Sequence, residues 1–92
     1  MRTIAGEDEQ VHRSEFSDED LHGGTVKFFN AEKGWGAIAS HALPSGRDAW
    51  VHFSDIESSG YRFLEAGQAV KFAFERAKQD SFDYRAIYVR PL

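Results

Sequence analysis

Several residues in this chain have side chains of the types that react or bind. His52, Ser54 and Asp55 are the residue types of a hydrolytic triad. They are nearly adjacent on one strand end, whereas a triad needs a nucleophile, a base and an orienting group that converge on one point. His41, Asp48 and His52 are ligand types for a metal, but the chain has no cysteine and its histidines lack the tight spacing of a metal motif. Gly34 and Gly36 make a lone Gly-x-Gly, with neither a third glycine nor a following helix to cradle a nucleotide. The remaining group is different in kind. Trp35, Trp50 and His52 offer large planar faces, and Lys27, Lys33 and Arg62 lie near them in sequence with Phe28 and Tyr61. Rings flanked by cations suit a single strand of nucleic acid, with bases stacking on the rings and phosphates meeting Lys and Arg. The expected chemistry is non-covalent, with no catalytic residue, no metal and no cofactor.

The elements that would position these side chains are short strands. Runs of β-prone residues at 25–30, 35–40, 48–53, 68–75 and 84–90 are separated by turn signals. Residues 54–57 read as one helical turn, with Ser54 and Glu57 at capping-box spacing. No stretch supports a helix of several turns. Five short strands predict an all-β fold, a small closed antiparallel barrel. Side chains alternate faces along a strand. A consistent interior holds Ile38, Val51, Val70, Phe72, Ile87 and Val89, which leaves Trp35, Trp50 and His52 outside. The alternative is a register shifted by one, with both tryptophans in the core. That shift would bury His52 and expose Val51 and Ile38, which counts against it.

The chain has 92 residues, room for one domain. Its net charge of −4 is unevenly spread. Residues 1–23 carry two basic and seven acidic side chains, or −5, and residues 24–92 carry nine and eight, or +1. The first segment holds one aromatic residue, Phe16, of the chain's 13. Such a composition cannot offset chain entropy by burial, so residues 1–23 are expected to be a disordered acidic extension. Within it, Ser17 to Asp20 could cap a transient helical turn. Three roles suit the extension: a solubilising tail, a competitor with phosphates for the basic edge, or a docking segment for a protein partner. No apolar run reaches spanning length and the N-terminus lacks secretory-signal order. A cytoplasmic protein without membrane contact is expected.

Longer motifs carry a resemblance. Gly24-Thr25-Val26-Lys27-Phe28-Phe29-Asn30, then Lys33-Gly34-Trp35-Gly36-Ala37-Ile38, then Asp48-Ala49-Trp50-Val51-His52-Phe53-Ser54 resemble the bacterial cold-shock domain. The stretch 60–72 continues the match, so the likeness covers residues 24–92. It implies a five-stranded OB-fold barrel that binds single-stranded RNA and DNA, with mild preference for pyrimidines, as an RNA chaperone or a transcriptional or post-transcriptional regulator. By position it implies stacking roles for Phe28, Trp35, Trp50, His52, Phe53 and Tyr61, with Lys27 and Lys33 along the backbone path. Asn30 and Asp48 would serve structure or polar contacts to the strand. The chain departs from the family's pattern in places. The family usually has Trp where Phe28 stands, Phe where Trp35 and Trp50 stand, and another Phe where Ala37 stands. The last change removes a ring from the centre of the face, and one fewer tightly held base, or an altered preference, is expected there. An RNA-recognition motif also uses a Lys-Gly-aromatic-Gly run, but late in the domain and with two helices behind the sheet. A second reading is a protein-interaction module on the same barrel with weakened nucleic-acid binding. A monomer is expected.

Overall fold

A computed structural model describes residues 16–57 and 62–92. Five strands, β1 (His22–Asn30), β2 (Trp35–Ala39), β3 (Ala49–His52), β4 (Ala69–Gln79) and β5 (Phe82–Pro91), close into one barrel in the order β1-β2-β3-β5-β4. All neighbours are antiparallel except β3 and β5, which run parallel with Trp50 opposite Arg85. This is the expected five-stranded barrel, and closure leaves no long unpaired edge. No helix among the described residues is long and apolar enough to cross a membrane.

The interior is the alternate set of each strand. Val26, Ile38, Ala49, Val51, Val70, Phe72, Ala86 and Val89 are buried, joined by Leu43, Ile56 and Leu64 from the connections. One expected core residue is displaced. Ala73 pairs with Tyr88 and Phe74 with Ala86, so Ile87 is an extra residue in β5. This bulge shifts the phase of β5, places Ala86 and Val89 inside, and leaves Ile87 only half-buried.

A second bulge positions the outer face. Val26 pairs with Ile38 and Phe28 with Ala37, so Lys27 is the extra residue of β1. Strict alternation would put Val26 and Phe28 on one side. The bulge sends Val26 into the core and Phe28 outward, onto the side of Trp35.

The predicted acidic extension is described only from Phe16; residues 1–15 lie outside the described residues. From Phe16 onward it is packed on the barrel. Its ring stacks on Tyr88 at 5.2 Å, Asp18 pairs with Arg90, and Leu21 is buried. Asp18–Asp20 forms a 3-10 turn, in which the Asp20 carboxylate accepts from the Ser17 backbone N–H at 3.2 Å and hydroxyl at 3.1 Å. Strand β1 then begins at His22, before Gly24, and pairs with Phe72 of β4. Leu21 gives this stretch a buried anchor that average composition conceals. The helical turn expected at 54–57 sits one residue earlier, at Phe53–Asp55, and its cap is His52 rather than Ser54.

Candidate nucleic-acid interface

The turn between β1 and β2 is built by Asn30 and Gly34. Asn30 Oδ1 accepts the Lys33 N–H at 2.9 Å and the Asn30 carbonyl accepts the Gly34 N–H at 2.7 Å. Gly34 has φ of +80°, a backbone region that side chains disfavour. A Cβ there would also meet the Phe53 ring at 2.7 Å, so Phe53 lies directly against the bare glycine. Its backbone is tied to the same place, Phe53 N–H donating to the Gly34 carbonyl at 2.9 Å.

From this turn, β2 and β3 lay their rings side by side. Trp35 lies opposite His52 and Ala37 opposite Trp50. Trp35 and Trp50 are 6.5 Å apart with planes 22° apart, and Trp50 and His52 are 5.8 Å apart at 18°. Phe53 continues the row at 4.5 Å from His52, and Phe28 stands across Trp35 at 5.3 Å and 83°. The row therefore runs Phe28, Trp35, Trp50, His52, Phe53 over the outside of the barrel. Phe28 and Phe53 are 41% and 43% exposed, while the core is complete without any of these rings. Five rings in one row, two exposed and three half-buried, form the kind of patch that marks a surface meeting a partner.

His52 is held by its own turn. Its Nδ1 accepts the Ser54 N–H at 3.3 Å and lies 2.8 Å from Ser54 Oγ. With Nδ1 accepting, the neutral ring carries its proton on Nε2. Ser54 and Asp55 therefore support the ring and the turn; Asp55 is engaged with Arg85 at 3.4 Å rather than with His52.

The cations are unequal. Lys27 is ion-paired with Asp48 at 3.0 Å, so part of its charge is already balanced. Lys33 and Arg62 are exposed and have no ion-pair partner among the described residues. Tyr61 lies outside the described residues. The centre of the face is closed over: Ala37 pairs with both Phe28 and Trp50 and is only 1% exposed. The missing ring thus leaves a covered methyl floor at the centre of the face.

Two residues beside this face escaped the sequence reading. Phe82 brings its ring 6.1 Å from Trp35 at 82°, and Arg85 holds its guanidinium 5.9 Å from the Trp50 ring. Both come from β5, which reaches β3 only through the non-local parallel pairing. No local periodicity signals that contact. An open cleft of about 540 Å³ lies beside the face under the β2–β3 connection, lined by Lys27, Ser40, His41, Arg47 and Asp48 among others. Among the described residues no group of three or more His, Asp or Glu converges as a metal site would require.

Comparison with known proteins places this geometry in a family. The model of the 'Cold-shock' DNA-binding domain matches residues 22–89. The chain belongs to the cold-shock domain family. Its match begins at the first residue of β1 and ends within β5, so the domain coincides with the barrel. The chain is similar to the major cold shock protein of Streptococcus pyogenes serotype M6, 48% identical over 56 residues, which are 61% of this chain and 79% of the relative. It is 51% identical to the cold shock protein CspC of Bacillus subtilis over 53 residues, 58% of this chain and 76% of that one. With CspA of Staphylococcus aureus it shares 55% over 49 residues, 53% of this chain and 70% of that one. Cold-shock domains are a nucleic-acid-binding family, not an enzymatic one, and this chain carries that function.

Proposed function

We propose that the cold-shock domain binds single-stranded RNA, and also single-stranded DNA, by stacking bases on the outer row of rings. Phe28, Trp35, Trp50, His52 and Phe53 supply the platforms, and Tyr61 is a further stacking ring by its place in the family's motif. Lys27, Lys33 and Arg62 meet the phosphates. The observation that carries this reading is that five rings form a continuous row outside a barrel whose core is filled without them. Neutral stacking tolerates many sequences because every base has a π-face. A strand held open in this way cannot pair with its complement, which is the physical basis of an RNA chaperone and of regulation through transcript structure.

Loss of a stacking ring costs about 1–3 kcal/mol, or roughly 5- to 150-fold in affinity. Trp35→Ala and Trp50→Ala are each expected to weaken binding of a labelled oligo-uridine within that range, read by fluorescence anisotropy. Wild-type affinity in both folded variants would rule out stacking at this face.

A further inference from the structure

The row of rings has a side that β1, β2 and β3 do not supply. Phe82 opens β5 two residues before Tyr84, and Tyr84 and Ala86 both belong to the core packing. Phe82 does not: it is half-buried, and its ring stands across Trp35, mirroring Phe28 on the same indole at 83° with its own 82°. Three residues further along β5, Arg85 lies beside Trp50 with its guanidinium 5.9 Å from that ring. A second observation falls at the same seam. Trp50 Nε1 and Arg85 Nε are buried N–H donors with no acceptor among the described residues. Buried donors are almost always paired, so two unmet ones side by side ask for an acceptor. The Asp55 carboxylate accepts from a different nitrogen of Arg85, Nη2, at 3.4 Å.

We propose that Phe82 and Arg85 make the β5 side of the face a nucleotide subsite of its own. Phe82 supplies a ring that compensates for the one absent at Ala37, and the two N–H donors, closed to solvent in the free protein, take an acceptor oxygen of the same nucleotide once the partly exposed Arg85 side chain shifts. Nucleic acid presents such oxygens on phosphates and on base carbonyls, and this shared acceptor chemistry is what the seam recognises. The proposal rests on the reading of the face as a single-strand interface and adds to it a residue that local sequence does not reveal.

The test compares the full chain with Phe82→Leu, which keeps apolar bulk and loses the ring, and Phe82→Trp, which keeps a ring. Phe82→Leu is expected to bind oligo-uridine about tenfold more weakly, and Phe82→Trp about as well as the wild type. Oligo-uridine carrying one abasic nucleotide, walked along the strand, separates the two acceptors. If the oxygen is a base carbonyl, one position abolishes the difference between wild type and Arg85→Gln; if it is a phosphate, the difference persists at every position. A measurement on the unaltered protein guards against misfolded variants: the Trp50 Nε1–H and Arg85 Nε–H resonances should shift on saturation with oligo-uridine. Wild-type affinity in Phe82→Leu, or both resonances unmoved while Trp35 Nε1–H shifts, would overturn the subsite and leave the main interface standing. No shift in any of the three with no binding would instead overturn the interface itself.

Discussion

Gly36 sets how closely β1 can approach β2. A Cβ there would lie 2.2 Å from the Phe28 carbonyl oxygen and 2.8 Å from Phe29 Cα, and these are backbone atoms that cannot rotate away. Gly36→Ala should therefore push the strands apart where Phe28 joins the face. A loss of stability of about 1–3 kcal/mol is expected, as for other overpacked sites, read as a fall in the urea midpoint. An unchanged midpoint would mean that the strands are spaced differently from this description. At this scale the sequence was partly legible. Trp35, Trp50 and His52 could be placed outside because the register that buries both tryptophans would also bury His52 and expose Ile38 and Val51. Ile87 could not be excluded from the core, since a bulge changes phase without any residue type to announce it. Phe82 and Arg85 were invisible for another reason: their neighbours on the face belong to strands far away in sequence.

Between single residues and the whole barrel, two elements do what composition could not forecast. The Lys27 bulge turns Phe28 outward, and the stretch from Phe16 to Leu21 straps the chain's beginning to β5. The strap rests partly on Asp18 and Arg90. The hydrogen bond and charge of the Arg90 guanidinium hold the Asp18 carboxyl below its ordinary value of 3.8. A carboxyl lowered on folding contributes its stabilisation fully above 3.8 and loses it as pH falls through the lowered value. Asp18→Asn should therefore speed amide exchange at Leu21 and His22 at neutral pH, and the difference from the wild type should vanish in acid. Equal exchange at neutral pH would show that the pair does not hold the strap. Asp55 has the opposite sign. Burial pushes its carboxyl up despite the charge of Arg85, so its ionisation weakens the fold as pH rises from 3.8 through the folded value. The element boundaries followed the turn signals closely from Thr25 to His52. The early start of β1 did not, because Gly23 and Gly24 read as a boundary before a strand at 25–30 when they are part of that strand. Gly24 is needed there: a Cβ would meet Ile38 Cγ2 at 2.7 Å and Phe72 Cε1 at 2.8 Å.

Across the whole molecule, the net charge of −4 describes no surface in particular. Asp18, Glu19 and Asp20 sit on the strap, where Asp18 pairs with Arg90 of β5. Residues 1–15 retain four acidic and two basic side chains, so competition with phosphates by that segment can only be modest. A truncation meant to test it must end at residue 15, because cutting at 23 would remove buried Leu21 and the first pairs of β1 with β4. With three or four phosphate contacts, log affinity should fall with log salt at a slope of about −2 to −3 for a single strand. On the proposed reading stacking then carries much of the affinity, and both tryptophans of the chain lie in the row of rings that would supply it. The most direct measurement is accordingly a titration of intrinsic tryptophan emission with short oligo-uridine and oligo-thymidine at low salt. Strong, saturable quenching is expected, slightly tighter without residues 1–15. Emission that stays constant through the titration, with and without that segment, would contradict the assignment of this face to single-stranded nucleic acid.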